Sequence, residues 1–264
     1  MDVQTYLARI KYAGATEPTS ANLKNIHEAH MLAVPFENLD IHLNRPIILD
    51  EERIFNKIVL NNRGGFCYEM NRIQAWLLDQ LGFDVKMLSS RSMNAEGVLG
   101  IEYDHLMLLV RCPADPHPGS SIPWLADVGW GDGFLYPKRL DQLNIEQADG
   151  SRAHIIKDVG DGFFVLVQQG YDGVWKNQYH FNLQPHAYSE YESACQHHQT
   201  SPESHFPKKR VCTLATKTGR ITVTEGRFIE TINGVKTNTS IKNSEFESVL
   251  ANRFGIALTN PQWK

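Results

Sequence analysis

The 264-residue sequence predicts an α+β fold in three consecutive regions: helices, then antiparallel strands, then a mixture of both. Apolar residues recur with helical spacing up to about residue 82. Short β-type runs bounded by Gly, Pro, Asn and Asp take over from residue 84, and a polar helical stretch with three more β-type runs lies beyond residue 185. Segregation of helices and strands along a chain is typical of α+β proteins.

The first region is predicted to contain four helices, at about residues 2–10, 20–34, 50–60 and 67–81. Thr19 is positioned to cap the second helix. Pro35 ends that helix, because the residue before a proline avoids the helical conformation. Gly82 is placed to end the fourth. His27 and His30 fall in the second helix, where we expect surface or hydrogen-bonded core positions for them.

The middle region is predicted to form an antiparallel barrel or sandwich, since several short strands follow one another at turn-bounded spacing. The expected strands lie at 85–88, 105–110, 124–128, 163–167 and 174–181. In the third region a polar helix at about 189–199 precedes three strands and a last helix that Gly255 closes. Asn233-Gly234 in this region is a strong hairpin signal.

Composition argues against several classes of protein. A net charge of -4 without a Lys/Arg stripe argues against a nucleic-acid partner. No apolar run approaches the ~20 residues of a membrane span, and residues 1–5 lack the pattern of a signal peptide. Four widely spaced cysteines without a CxxC pair predict reduced thiols and a cytoplasmic location. No Cys/His pairs have metal-ligand spacing, so we expect no metal.

A glycine bend followed at once by a helix points to Cys67 as a catalytic nucleophile. The bend is Gly64-Gly65, inside the segment RGGFCYEMN at 63–71. It places Cys67 in the first helical turn, where unpaired N–H groups and the helix dipole favour negative charge. We therefore expect a lowered pKa for this thiol and the highest reactivity among the four cysteines. For an arbitrary cysteine, a small buried core residue would be the simpler interpretation.

His105 and Asp127 are the candidate partners of this thiol. His105 opens the most apolar β-type run, and Asp127 lies within the apolar run 124–128, before a Gly-Trp-Gly bend. A buried carboxylate is costly unless it is paired, and a histidine on a neighbouring strand would pair it. Taken singly, each residue fits a structural role. Together with Cys67 they predict a nucleophile, a base and a group that orients the base.

Several segments resemble the arylamine N-acetyltransferases, in the order found in that family. The segment at 63–71 is similar to the active-site signature, and PFENL at 35–39 to an N-terminal motif. HLMLLV at 105–110 resembles the catalytic-histidine strand, and DVGWG at 127–131 the catalytic-aspartate turn. The loop at 200–206 resembles one that the family places near coenzyme A.

The resemblance implies a helical bundle at 1–83 carrying the nucleophile, a β-barrel at 84–185 carrying His and Asp, and an α/β lid at 186–264, with a cysteine-protease-like Cys-His-Asp core. It implies an acyltransferase of xenobiotic metabolism that acetylates Cys67 from acetyl-CoA and passes the acetyl group to an arylamine or arylhydrazine. His105 would be the general base and Asp127 its orienting partner.

The resemblance also implies substrate contacts for four residues. Phe36 and Trp130 would line the acceptor pocket, with a plain core role as the alternative for both. Ser204 and Phe206 would contact coenzyme A.

Three departures from the family pattern affect these contacts. Trp130 stands where the family usually has Phe, which changes the shape expected for the acceptor pocket. The residues before the histidine are often small in the family, but here they are Glu102, Tyr103 and Asp104. Glu203 replaces a small hydroxyl residue in the coenzyme loop. Acidic groups oppose an anionic coenzyme, and the basic run at 208–210 would offset them unless it is a solvated strand start.

Three other functions remain open from the sequence. One is a related amide synthase that uses a different acyl donor or carrier. A second is a thiol hydrolase of the papain or transglutaminase kind, although the papain motif around the cysteine is missing. The third is a binding module with a vestigial site.

Overall fold

A computed structural model of the chain describes residues 1–258. The N-terminal region is helical as expected, with one short strand. Its elements are α1 Val3–Arg9, α2 Ser20–Ala33, β1 Phe36–Glu37, α3 Leu39–His42, α4 Glu51–Phe55, a π-helical turn Asn56–Leu60 and α5 Cys67–Gln80. The first, second and fourth helices begin at polar caps, where Asp2, Thr19 and Asp50 accept hydrogen bonds from backbone N–H groups of the first turn.

An antiparallel sheet of eight strands follows, in the order β5-β4-β3-β2-β9-β8-β7-β6. The strands are β2 Asp84–Ser92, β3 His105–Arg111, β4 Trp124–Ala126, β5 Lys138–Arg139, β6 Glu146–Asp149, β7 Arg152–Gly160, β8 Phe163–Gln169 and β9 Trp175–Pro185. The side chain of Gln147 in β6 joins the two edges of the sheet. Its Oε1 accepts the Arg139 N–H at 2.7 Å, and its Nε2 donates to the Arg139 carbonyl at 2.8 Å. The sheet is therefore a nearly closed barrel, and not a sandwich.

The central strand β3 is buried on both faces. Met107 and Leu109 belong to the barrel core, whereas Leu106, Leu108 and Val110 pack in the core formed with the helices. Burial on both sides explains why this strand is a continuous apolar run, since neither face needs polar residues. It also places the start of β3, at His105, between the helices and the barrel.

A second antiparallel sheet has the order β1-β10-β11-β12-β13. Its C-terminal strands are β10 Val211–Thr216, β11 Gly219–Thr224, β12 Arg227–Ile232 and β13 Val235–Ser240. Helix α6, Glu192–Thr200, precedes them, and α7, Phe246–Val249, continues as a π-helical turn, Leu250–Phe254. Gly255 ends this turn with φ 70°, as expected for a left-handed C-cap.

The N-terminal strand β1 belongs to this C-terminal sheet. Phe36 pairs with Thr213, and Glu37 with Cys212. The division at 1–83, 84–185 and 186–264 stays a prediction, and residues 259–264 of its third part lie outside the described range. Pairing of β1 with β10 brings the sequence before Cys67 against the sequence after Phe206.

Within residues 1–258, no helix combines the length and the apolar character that a membrane crossing requires.

Candidate active site

The glycine bend before α5 is enforced by close packing. A Cβ on Gly64 would lie 1.8 Å from the Pro35 carbonyl oxygen, so no other residue fits there. Phe66, the residue before the helix, donates its N–H to Glu69 Oε2 at 3.1 Å, which caps the first turn. Cys67 is the first helical residue and is 4% exposed.

A buried group of five charges holds this bend in place. Arg63 contacts Glu37 at 2.6 Å and Asp40 at 3.0 Å. Lys57 contacts Asp40 and Glu69, each at 2.8 Å. Glu37 of the motif at 35–39 and Arg63 of the motif at 63–71 are therefore ion-pair partners, and Asp40 directly after the first motif joins them. Lys57, on the preceding π-helical turn, completes the group and was not predicted from the sequence.

His105 and Asp127 form a buried pair on neighbouring strands. His105 begins β3, and Asp127 directly follows β4, which is hydrogen-bonded to β3 in antiparallel register. The distance from His105 Nε2 to Asp127 Oδ2 is 2.7 Å, and both side chains are at most 3% exposed. Asp127 lies in the turn after the strand and not within it. The predicted pairing of the two residues is present in the structure.

The Asp127 carboxylate accepts four hydrogen bonds besides the one from His105. Tyr179 donates its hydroxyl to Oδ2 at 3.0 Å. Oδ1 accepts from Asn71 Nδ2 at 2.9 Å and from the backbone N–H groups of Gly129 and Trp130 at 3.0 and 3.1 Å. Burial raises the pKa of Asp127, but His105 and these hydrogen bonds outweigh burial and lower it. The carboxylate is thus ionised and fixed in orientation.

Asn71 connects this carboxylate to the helix of the nucleophile. It lies one turn after Cys67 on α5, and its Nδ2 also donates to the Leu106 carbonyl at 2.6 Å. Its Oδ1 accepts from Val128 N at 3.0 Å. We did not predict this role. A polar residue on the apolar face of a helix, four positions from the cysteine, was the available signal.

His27 supports the same turn from α2. Its Nε2 accepts the Asp127 N–H at 3.1 Å, so the proton is on Nδ1, which donates to the Leu135 carbonyl at 2.8 Å. Burial lowers the pKa of His27 to about 4, which keeps the ring neutral. His30 is also buried and contacts the Tyr6 hydroxyl at 2.9 Å. Both are hydrogen-bonded core residues, one of the two outcomes expected.

Cys67 and His105 line one cavity of about 810 Å³. The aspartate turn packs directly on the nucleophile, since a Cβ on Gly129 would lie 2.7 Å from Cys67 Cα. Asp127 binds Nε2 of His105, which leaves the other ring nitrogen, Nδ1, for the thiol. Two of the three predicted residues, Cys67 and His105, thus line one cavity, and the third, Asp127, is hydrogen-bonded to His105 behind it.

The predicted lowering of the Cys67 pKa is wrong. Burial raises the pKa of this thiol well above its ordinary value, and a backbone hydrogen bond with Leu106 opposes burial without outweighing it. Asp104 and Asp127 act in the same direction as burial. The predicted position of Cys67 at the start of a helix is correct, but its burial was not predicted. The thiol therefore needs a base beside it, because the helix terminus alone does not ionise it.

The family model described as N-acetyltransferase matches residues 19–263. The chain belongs to the N-acetyltransferase family. It is similar to the arylamine N-acetyltransferase of Mycolicibacterium smegmatis, with 31% identity over 98% of this chain and 93% of that protein.

Solved structures of the family agree with the fold. The M. smegmatis arylamine N-acetyltransferase structure has a TM-score of 0.89 and 29% identity, over 98% of this chain and 93% of the other. A Mycobacterium marinum arylamine N-acetyltransferase in complex with CoA has a TM-score of 0.87 and 27% identity, over 97% and 93%. The predicted fold class and family are confirmed.

The four predicted substrate contacts of this N-acetyltransferase-family chain all line the same cavity: Phe36, Trp130, Ser204 and Phe206. The Trp130 ring lies 4.9 Å from the His105 ring in an edge arrangement, and its Nε1 donates to Gln178 at 3.1 Å. The rings of Phe36 and Phe206 are 6.2 Å apart. Their roles in binding stay predictions.

Two of the acidic residues that depart from the family pattern, Asp104 and Glu203, differ in their contacts and exposure. Asp104 is paired with His198 at 2.9 Å, whereas Glu203 is exposed at the cavity wall. Lys209 also lines the cavity. Arg210 instead pairs with Glu225 at 2.8 Å. Of the basic run at 208–210, Lys209 is therefore placed to offset Glu203.

In the part of the chain that the structure describes, no group of three or more His, Cys, Asp or Glu residues is arranged to hold a metal ion.

Proposed function

We propose that the protein transfers an acetyl group from acetyl-CoA to the nitrogen of an arylamine or arylhydrazine through an acetyl-Cys67 intermediate. The observation that carries this proposal is the His105–Asp127 pair, tied by Asn71 to the helix that begins with Cys67. Family membership and the relative described with CoA support the acyl donor. An apolar, aromatic wall containing Phe36 and Trp130 supports an aromatic acceptor.

In the first half-reaction, His105 Nδ1 takes the thiol proton as Cys67 Sγ attacks the carbonyl carbon of the acetyl thioester. Because the proton leaves as the sulfur attacks, no free thiolate has to accumulate. The reaction can therefore proceed although burial raises the pKa of the Cys67 thiol. The backbone N–H groups at the start of α5, which begins with Cys67, are the proposed donors to the carbonyl oxygen as negative charge develops on it. Collapse breaks the carbon–sulfur bond to the coenzyme, and His105 returns the proton to the departing thiolate.

In the second half-reaction, the amine nitrogen attacks the carbonyl carbon of acetyl-Cys67. His105 Nδ1 accepts a proton from this nitrogen, the bond to Sγ breaks, and the proton returns to the sulfur. Asp127 keeps the Nε2 proton of His105 in place throughout, so Nδ1 is the nitrogen that exchanges protons. An arylamine suits this site because it arrives neutral, whereas burying an unpaired aliphatic ammonium is costly.

Intact-mass spectrometry tests the covalent step. Incubation with acetyl-CoA without an acceptor is expected to add one acetyl group, which peptide mapping places on Cys67, and an arylhydrazine should discharge it. Cys67→Ser is the control and should show no thioester adduct with otherwise unchanged melting. Turnover of Cys67→Ser near the wild-type rate would refute the covalent reaction.

A panel of acyl-CoA thioesters in the same assay separates this reaction from its alternatives. Preferential labelling by acetyl-CoA with transfer to amines supports the proposal. Labelling only by other acyl carriers would indicate an amide synthase. If water removed the acyl group from Cys67 as fast as an amine does, the protein would be a thiol hydrolase.

A cytoplasmic location and a part in xenobiotic metabolism belong to the proposal as predictions. The four cysteines are all free thiols in the structure, which supports a reducing compartment. The three-region division is also retained as a proposal, with β1 as a strand that the first region contributes to the sheet of the third.

A further inference from the structure

A second Asp–His pair lies beside the first. Asp104 directly precedes His105, and its Oδ1 is 2.9 Å from His198 Nε2 on α6. The two side chains are 9% and 7% exposed, and Asp104, His198 and Ser204 all line the cavity that contains Cys67. The mechanism above does not use this pair.

Hydrogen bonds continue from this pair into the loop 201–206. Asp104 can only accept, so His198 carries its proton on Nε2 and turns Nδ1 toward Ser204 Oγ at 3.4 Å. Ser204 Oγ accepts the N–H of Phe206 at 3.2 Å and lies 3.2 Å from the His198 carbonyl, to which it donates. At the other end, the Ser92 N–H donates to Asp104 Oδ2 at 2.9 Å.

Asp104 is ionised in this arrangement. Burial raises its pKa, but hydrogen bonds with His198 and Ser92 outweigh burial and lower it to about 2. The pair is therefore a charge-assisted tie between the start of β3 and the end of α6, where the His198 carbonyl accepts the Ser204 hydroxyl of the loop.

Loop 201–206 is held from a second side as well. The Phe206 carbonyl accepts from Asn38 Nδ2 at 2.9 Å and from His42 Nε2 at 3.0 Å. The Phe206 ring packs edge-on against His198 at 5.3 Å and lies 6.2 Å from Phe36. Loss of the Asp104–His198 bond would thus release the α6 side of the loop from the start of β3, while the other side stays attached.

The order Ser204–His198–Asp104 matches a serine nucleophile with its base, but the hydrogen bonds do not. The Ser204 hydroxyl donates to a carbonyl and accepts a backbone N–H, so its proton is not directed at the imidazole. The spacing of 3.4 Å to Nδ1 is also long for a nucleophile–base contact.

We propose that Asp104 and His198 are positioning residues that set the coenzyme-facing loop 201–206 against the strand of the catalytic histidine. This inference rests on the proposed function. It assigns a role to Asp104, which stands where the family often has a small residue. The tie acts on donor binding and leaves the chemistry at Cys67 to His105 and Asp127.

The decisive variant is His198→Phe, which keeps the ring packing and removes the hydrogen bond to Asp104 together with the Nδ1 contact to Ser204. It is assayed with acetyl-CoA and with p-nitrophenyl acetate, which carries an acetyl group but no coenzyme. We expect the KM for acetyl-CoA to rise about tenfold. The maximal acylation rate, the rate with p-nitrophenyl acetate and the discharge of acetyl-Cys67 by an arylhydrazine should stay within about twofold of wild type.

Asp104→Asn gives an independent test by the sign of its effect. If Asp104 acted only through its charge, its removal would lower the KM for the anionic coenzyme. Positioning predicts the opposite, a KM that rises several-fold. Asp132→Asn is the matched control, because Asp132 lines the same cavity, is 57% exposed and pairs with Arg152 and Arg220 instead of with the loop. Its KM should stay unchanged or fall.

An unchanged KM in His198→Phe, an equal loss with both donors, or a lowered KM in Asp104→Asn would overturn the positioning role. If His198→Phe does not fold, Asp104→Asn decides by the same criterion. Failure of wild-type Cys67 to be acylated by either donor would instead overturn the proposed function, and this inference with it.

Discussion

The two Asp–His pairs of this protein face one cavity but differ in how completely they are held. Asp127 is fully buried and receives five hydrogen bonds, from His105, Tyr179, Asn71 and two backbone N–H groups. The Asp104 side chain is 9% exposed, and its carboxylate is bonded to His198 and the Ser92 N–H. A carboxylate that must hold an imidazole in one tautomer through a reaction needs many fixed hydrogen bonds, as Asp127 has. For anchoring a loop, the two partners of Asp104 are enough.

The partners of the two imidazoles show the same difference. The free nitrogen of His105 is the one proposed to exchange a proton with Cys67, and the His105 ring is enclosed by Trp130 at 4.9 Å and Tyr179 at 5.3 Å. The free nitrogen of His198 faces Ser204, whose hydroxyl is already occupied by the backbone. Adjacent residues in the sequence, Asp104 and His105, thus serve two different pairs. In our proposals, one pair drives proton transfer and the other fixes a loop.

The largest expected effect comes from making the same substitution in both pairs. Asp127→Asn should reduce kcat about 10³- to 10⁴-fold, because an amide beside Nε2 no longer holds the productive tautomer of His105. Asp104→Asn should leave kcat within about twofold. Steady-state kinetics with acetyl-CoA and an arylhydrazine measures both. Equal losses of kcat in the two variants would remove the distinction between the pairs.

Asn71→Ala tests whether the completeness of the Asp127 site matters for the fold. The substitution removes the Asn71 partner of the Leu106 carbonyl and of the Val128 N–H in a buried site, and one of the three hydrogen bonds to Asp127 Oδ1. Each unsatisfied buried group costs about 1–3 kcal/mol, so we expect a loss of about 3 kcal/mol of stability and a lower kcat. Urea denaturation measures the first and initial rates the second. Wild-type stability would show that water replaces the amide.

Acid stability separates the pairs further. The pKa of Asp104 is about 2 in the folded protein, compared with 3.8 for an unperturbed aspartate. The folded state therefore binds this proton less readily than the unfolded state does. The stabilisation is therefore fully present above about pH 4 and is lost as the pH falls toward 2, an effect of about 2 kcal/mol. The stability difference between wild type and Asp104→Asn, from urea denaturation, should shrink as the pH falls below about 4. A constant difference down to pH 2.5 would contradict the lowered pKa.

The sequence predicted which residues meet at the candidate site better than it predicted their surroundings. Cys67 was identifiable from the glycine bend and the helix start, His105 from its place at the head of an apolar run, and Asp127 from its place within one. Asn71 and His198 were not, since a polar residue on a helix has a surface position as its ordinary interpretation. The raised pKa of Cys67 was also out of reach, because burial depends on the packing of β3 and the turn at 127–131 against α5. The pairing of β1 with β10, across more than 170 positions, had no local signal.

The smallest expected effect concerns Trp130, the predicted acceptor contact, which lies beside the His105–Asp127 pair in the wall of the cavity. Its ring packs edge-on against His105, and its Nε1 donates to Gln178. Trp130→Phe keeps an aromatic ring beside His105 but removes the indole's second ring and the bond to Gln178. We expect room for bulkier para-substituents on the acceptor, with a change in acceptor preference of about five- to tenfold, near the ~0.5–1.5 kcal/mol of one aromatic contact.

Separate measurement of the two half-reactions by stopped flow decides where Trp130 acts. Acylation by acetyl-CoA should remain close to wild type, because His105 keeps Asp127 and an aromatic neighbour, while discharge by a series of para-substituted arylhydrazines should change its order. Tyr179→Phe is the comparison variant. It removes one hydrogen bond to Asp127 without widening the cavity, so it should slow both half-reactions and leave the acceptor order as it is. If Trp130→Phe behaves like Tyr179→Phe, Trp130 serves the catalytic pair and not the acceptor, and the predicted pocket role is wrong.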